Sequence, residues 1–218
     1  LVTAERSEAS IQDVPIAVSA FGSSALELQQ IETFGDLQFN IPSITYTRGN
    51  FAGGSMSIRG VASAAVAASG DGAVAYHLDS VPLPTSIFET EFYDVERVEV
   101  LRGPQGTLYG ANATAGTVNL IFAKPTNDTE ASIELEYGDY DSRKLKLAMN
   151  LPFSDSLRLR FSGMSLRRDG FSINMFPGKE GKDIDGRKIS SYRAILEADL
   201  GENTLARFTF LNFEEDDN

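Results

Sequence analysis

The chain has 218 residues, 42% of them hydrophobic and 23% charged, a composition of folded rather than disordered protein. Its net charge of −12 offers no basic stripe for nucleic acid, and the absence of cysteine excludes disulfides and thiolate metal sites. His77 is the only histidine, which removes most zinc-enzyme and histidine-based catalytic arrangements; no apolar run is long enough for a spanning helix, although barrel strands stay open.

The start, Leu1-Val2-Thr3-Ala4, lacks a methionine and a signal peptide, as expected of a processed or truncated chain. Up to about Pro125 the pattern is mixed. Ser23 or Ser24 is placed to cap a short helix carrying Leu26 and Ile31, and Thr33 to cap a second through Leu37. Strand-like runs follow at Ser43–Thr47, Ser55–Arg59, Ala73–Leu78, Arg97–Arg102 and Thr117–Phe122. Between them lie glycine-dense turns, Gly53-Gly54, Gly70-Asp71-Gly72 and Gly103-Pro104-Gln105-Gly106. Short helices are expected around Glu89–Tyr93 and Thr107–Gly110.

After Lys124-Pro125-Thr126 the period becomes two. Ile133, Leu135 and Tyr137 alternate with Glu134 and Glu136; Leu145, Leu147, Met149 and Leu151 alternate with Lys144, Lys146, Ala148 and Asn150. Three further runs, at 157–161, 192–200 and 206–210, behave alike. Turns at Pro152–Ser156 and Gly201–Asn203 are tight, whereas Asp169–Lys188 is a long polar excursion, the asymmetry of outer-membrane barrels. A soluble sandwich with one wet face would alternate in the same way, but the runs are long for one. If Tyr137 faces Arg143, Glu134 falls opposite Lys146 and Glu136 opposite Lys144, so opposite charges meet on one face. Lys144, Lys146, Arg158 and Arg160 then form a positive stripe on that face. About five such strands with open edges are an incomplete object in lipid, so further strands are expected after Asn218.

The run Val98-Glu99-Val100-Leu101-Arg102-Gly103-Pro104-Gln105-Gly106-Thr107-Leu108-Tyr109-Gly110, continued by Ala111-Asn112-Ala113-Thr114-Ala115-Gly116-Thr117-Val118-Asn119-Leu120-Ile121, resembles the plug signature of TonB-dependent outer-membrane receptors. Ile58-Arg59-Gly60-Val61 is similar to the family's upstream arginine-glycine motif, and Gln12–Val18 to its plug entry. Ala115-Gly116 departs mildly from the two glycines common there. The resemblance implies an α+β plug domain (a mixed sheet with short helices) over residues 11–125, preceded by the end of a TonB box and linker at 1–10. Residues 126–218 would be the first antiparallel transmembrane strands of a barrel of about 22 strands.

The same resemblance implies TonB-dependent import of a scarce ligand across the bacterial outer membrane, a ferric siderophore or other iron complex first, with carbohydrate or cobalamin as alternatives. A passive channel is the competing class, and neither an enzyme nor a cofactor is implied. TonB, with its inner-membrane energising complex, would read the periplasmic Val2-Thr3-Ala4 segment by strand addition. Gly60, Gly103, Pro104, Gly106, Gly110 and Gly116 would shape the plug turns. Arg59 and Arg102 match arginines that ion-pair with barrel-wall glutamates, the alternative being local acids such as Glu96 or Glu99. Tyr109 matches a plug-apex position offered to ligand, and Arg48, Asn50 and Phe51 mark a second candidate apex. His77 with Asp79 supplies two metal ligands without a third, so a plain strand histidine is expected.

Overall fold

The computed structural model describes residues 2, 16–49, 53–62, 72–83, 91–178, 181 and 183–216. The chain divides into two compact units, Leu1–Ala123 and Lys124–Asn218.

In the first unit, β1 (Ala17–Gly22) runs directly into α1 (Ser23–Leu28). Gly22 holds the N-cap position without a side chain to cap with, so Ser23 and Ser24 become the first helical residues. Ile31 lies past the end of this helix and is buried there. A 3-10 turn, Phe34–Asp36, then leads to α2 (Leu37–Asn40). The Asp36 carboxylate organises that turn by accepting from Thr33 N–H at 2.7 Å and Thr33 Oγ1 at 2.8 Å. The reach of one aspartate explains a tight turn where the sequence suggests one continuous helix. Phe34 packs edge-on against Tyr76 (5.5 Å between centroids) and Phe92 (4.9 Å), contacts worth about 0.5–1.5 kcal/mol each beyond area burial. Burial pushes the Tyr76 phenol above its usual pKa, with Tyr46 adding to the effect, so it stays protonated.

β2 (Ile44–Gly49) and β3 (Gly53–Ile58) form a hairpin in register from Ile44↔Ile58 to Gly49↔Gly53. The central sheet takes in β4 (Val74–Leu78), β5 (Val81–Pro82), β6 (Val95–Arg102) and β7 (Gly116–Phe122), in the order β1-β6-β7-β4-β5. Only β4 and β7 are parallel; every other pair is antiparallel. β1 is an addition to the strands expected from sequence. The helix expected over 89–93 does not form at 91–93, and its first two residues lie outside the described ones. Phe92 instead donates its backbone N–H to Glu32 O at 2.6 Å, a long-range bond that takes the place of a helical one.

The second unit is an antiparallel sheet of β8 (Glu130–Gly138), β9 (Ser142–Ser154), β10 (Leu157–Arg168), β13 (Arg187–Asp199) and β14 (Leu205–Glu215), in the order β14-β13-β10-β9-β8. A small hairpin, β11 (Ser172–Ile173) with β12 (Asp183–Ile184), decorates the long excursion. Asn150 anchors the lead-in: its amide donates to Thr126 O and Thr126 Oγ1, both at 2.9 Å, and accepts from Thr126 N at 3.0 Å.

The register is the one the charges ask for, with Tyr137↔Arg143, Glu136↔Lys144 and Glu134↔Lys146. The pairs Lys144–Glu136 and Lys146–Glu134 close at 3.1 and 3.2 Å. Farther along the same face Glu197 takes Arg207 at 2.6 Å and Arg158 at 3.7 Å. The opposite face exposes Ile133, Leu135, Tyr137, Phe153, Tyr192, Phe208 and Phe210. Ion pairs of this kind contribute about 0–1 kcal/mol each, so they tune the register; the apolar face, which a one-residue slip would invert, enforces it.

Gly116 is a point of close backbone approach in the first unit. It stands opposite Arg102 at the start of β7, where an added Cβ would collide with the Leu101 carbonyl oxygen and lie 2.9 Å from Ile58 Cδ1. Gly106, on helical backbone, has nothing within 4 Å of such a Cβ. Gly116→Ala should therefore destabilise this unit by about 2 kcal/mol or more, and Gly106→Ala should leave it nearly unchanged. Thermal unfolding of the purified protein, followed by protease cleavage within 1–123, checks the contrast.

Candidate functional site

The glycine-rich motif is a closed excursion between β6 and β7. β6 ends at Arg102, and Gly103, at φ +115°, turns the chain out in a conformation that a side chain would strain. Gly103 N–H donates to Ala115 O at 2.9 Å and Gln105 N–H to Ala113 O at 2.8 Å, so the two limbs stay hydrogen-bonded past the strand ends. Pro104 is exposed between them and owes the ladder no donor. α3 (Gly106–Tyr109) makes one turn, closed by Gly110 N–H on Gly106 O at 3.0 Å. The limb then returns through Ala113 and Ala115, whose N–H donates to Ala73 O at 2.8 Å.

Tyr109 points back into this unit. Its side chain is 5% exposed and packs with Val2, Ala75, Leu101 and Ala113, and its ring meets His77 edge-on at 5.0 Å. The expectation of an aromatic offered to a ligand is corrected here: the single turn of α3 is too short to carry the ring away from the sheet. His77 is accordingly a buried packing residue, and Asp79 accepts from Phe122 N–H at 3.2 Å. Val2 is 1% exposed within the same cluster, while Thr3 and Ala4 lie outside the described residues. Arg48 belongs to β2, at its Gly54 register position; Asn50 and Phe51 lie outside the described residues.

Arg59 and Gly60 form a two-residue turn after β3. Both have positive φ, +54° and +77°, and Ile58 and Val61 exchange N–H···O bonds at 3.1 Å across it. Arg59 is exposed. Arg102 Nε is buried and, among the described residues, has no hydrogen-bond partner. Neither arginine forms the local pairs with Glu96 or Glu99 that the sequence leaves open. Arg97 takes both acids instead, donating from Nε to Glu99 Oε1 at 2.8 Å and pairing with Glu96 through Nη1.

One feature escapes sequence reading. His77 stands opposite Asn119, and Asn119 opposite Glu99, so three polar side chains share one face across β4, β7 and β6. All three are buried, Glu99 and Asn119 completely. Asn119 Oδ1 accepts from Ser80 N–H at 3.3 Å, but Asn119 Nδ2 and the neighbouring Thr117 Oγ1 have no partner among the described residues. The available clue is a polar residue inside each apolar run, Val98-Glu99-Val100 and Val118-Asn119-Leu120. Alone, such a residue reads as an ordinary alternation; the register makes it a seam.

A glycine-turned sheet with a polar seam, and a long-stranded sheet with one exposed apolar face, fit the class of outer-membrane barrel receptors. No helix among the described residues is long and apolar enough to cross a membrane. The chain belongs to the TonB-dependent receptors: the family described as TonB-dependent Receptor Plug Domain matches residues 10–117. The pesticin receptor of Yersinia pestis is 34% identical over 145 residues, 65% of this chain and 21% of that protein. The ferripyoverdine receptor of Pseudomonas aeruginosa is 34% identical over 110 residues, 50% of this chain and 12% of that protein. Among solved structures, the ferric yersiniabactin uptake receptor FyuA from Yersinia pestis superposes with a TM-score of 0.77 at 28% identity, covering 90% of this chain and 31% of that one. The chain thus spans about a fifth of the length of the pesticin receptor.

Removing Arg97 leaves Glu99 as a charge buried with its main partner gone. Arg97→Ala should cost about 3–5 kcal/mol, and adding Glu99→Gln should restore part of that loss. A double-mutant cycle of unfolding free energies checks it; additive losses would mean that the two side chains do not support each other.

Proposed function

We propose that the full protein imports a ferric siderophore or similar iron complex across the outer membrane, energised through TonB and gated by the first unit. The observation that carries this reading is the likeness over 90% of the chain to a ferric yersiniabactin uptake receptor, joined by relatives named for pesticin and ferripyoverdine. The polar seam gives it a physical basis. Incompletely bonded Asn119 and Thr117 lose little when water enters the sheet, so remodelling the plug costs less than opening an apolar one. Val2-Thr3-Ala4 is the segment TonB reads, and Val2 leaves its packing against Tyr109 when it is drawn out. Arg48 in β2, with Asn50 and Phe51 after it in sequence, supplies the ligand-facing apex of the plug. Arg102, with its buried Nε, forms the lock to the barrel wall, and Arg59 is its exposed companion. The protein's role is transport and not catalysis.

Cells expressing the full-length gene under iron limitation should accumulate radioactive iron from a supplied ferric siderophore, and deleting TonB should reduce this to background. Uptake that survives the deletion would favour a passive channel. Arg102→Ala should also raise outer-membrane leakage, read as increased sensitivity to large antibiotics with the receptor level unchanged. An unaltered sensitivity would remove Arg102 from the lock.

A further inference from the structure

The exposed face of the second unit's sheet ends in a row of cations beside the long 169–186 excursion. Arg143 stands opposite Arg167, and Arg167 opposite Lys188, placing three positive charges side by side on β9, β10 and β13. Such neighbours repel unless an anion joins them. Arg143 has one: its Nη2 donates to both oxygens of Asp141 at 2.8 and 2.9 Å. Arg167 and Lys188 are exposed, and among the described residues neither makes an ion pair or a side-chain hydrogen bond. Asp216 meets Lys188 only through the backbone, its N–H donating to Lys188 O at 2.9 Å.

Arg167 and Lys188 also line a cavity of about 330 Å³, together with Arg168, Arg187, Asp169 and Asp216, four cations against two carboxylates. The other two arginines are already engaged. Arg168 donates to Asp185 O at 2.8 Å and lies 5.2 Å over the Phe171 ring, and Arg187 pairs with Glu215 at 3.4 Å. Arg167 and Lys188 are thus the exposed cations of this cavity without a direct carboxylate contact, Arg167 feeling only the longer-range attraction of Asp141.

What lies along the same face toward the tight turns identifies the anion. The alternation sets Ser165 opposite Ser190, both exposed, one step from the cationic row. The next steps bring Leu147 and Tyr192 flanking Gly163, then Met149, Phe161, Ala194 and Phe210 in one line. Cation, hydroxyl and hydrocarbon follow one another over a few residues. A small inorganic anion would use the first layer only; an amphipathic one uses all three.

We propose that this rim seats a phosphorylated glycolipid of the outer leaflet. Arg167 and Lys188 clasp a lipid phosphate, Ser165 and Ser190 meet sugar or ester oxygens, and the acyl chains lie on the Tyr192–Phe210 band. The strand ends that carry the long excursion face the outer leaflet, because barrels keep short turns on the periplasmic side. The seat is independent of which complex the receptor imports.

Native mass spectrometry of the full-length receptor in detergent tests the proposal, with bisphosphorylated lipid A, its fully dephosphorylated form and inorganic phosphate as probes. The phosphorylated lipid should bind about tenfold more tightly than the dephosphorylated one, the scale of one charge-assisted contact. Arg167→Gln combined with Lys188→Gln should abolish that preference, and Lys188→Arg should keep it. Equal binding of the two lipids, or a preference surviving the double substitution, would overturn the proposal. So would its loss in the charge-conserving variant, since charge would then not be the cause. Displacement of the lipid by an equal concentration of inorganic phosphate would replace the lipid seat with a simple anion site.

Discussion

Every functional feature of this chain follows from one constraint: a hydrogen-bonded strand must send successive side chains to opposite faces. The two units meet that constraint in opposite ways. In the second unit one face exposes aliphatic and aromatic side chains while the other gathers paired lysines, arginines and glutamates. Such a sheet is stable where its apolar face meets hydrocarbon, and the backbone bonds it makes internally are then protected from competition by water. In the first unit β7 is buried at every residue, so neither face of that strand is a natural home for a polar group, and each one found there has to be accounted for.

The accounting singles out the seam. A carboxylate as deeply buried as Glu99 persists only with a cation and hydrogen bonds around it, and Arg97 supplies the cation. Asn119 and Thr117 are less well served, which makes the β6–β7–β4 part of the sheet cohesive but not dry in character. A plug held by apolar packing alone would resist opening in proportion to its area, whereas one whose central strands carry unsatisfied polar groups recovers hydrogen bonds when water reaches them. Gly116 adds the close β6–β7 approach, and the excursion from Gly103 to Ala115 folds over the strand ends and brings Tyr109 down onto His77.

Much of this was legible in the residues themselves, and the exceptions are physical. The β8–β9 register could be read because a single offset satisfies both the Glu134–Lys146 and Glu136–Lys144 matches; strands with charges on one face carry their own alignment. The plug strands were readable to within a few residues because apolar runs between glycine turns leave few alternatives. What local pattern cannot report is which distant partner takes a donor. The stretch before Tyr93 has helical composition, yet Phe92 N–H goes to Glu32, about sixty residues earlier in the chain. Tyr109 sits in a turn that by composition belongs on a surface, but its phenol ring is drawn inward by Leu101, Ala75 and Val2. The seam was invisible for the same reason: Glu99 and Asn119 are twenty residues apart, and only pairing makes them neighbours.

The three arginines of the plug illustrate how far environment separates residues that look alike in sequence. Arg97 is paired, with two carboxylates drawn to it from its own strand, although its Nη2 is buried without a hydrogen-bond partner among the described residues. Arg59 occupies a left-handed turn position and is exposed, where water solvates its guanidinium and an ion pair would add at most about 1 kcal/mol. Arg102 differs from both, because its Nε is buried at the point where β6 hands over to the glycine turn and no carboxylate among the described residues pairs with it. A buried guanidinium donor left unbonded costs about 1–3 kcal/mol or more, so an acceptor that reached it would recover that cost in addition to the attraction between charges. The acids nearest in sequence are paired with Arg97, so any acceptor for Arg102 would come from another element. Arg102, rather than Arg59, is thus the arginine with a buried donor standing open at the end of β6, next to the close approach of Gly116 to Leu101.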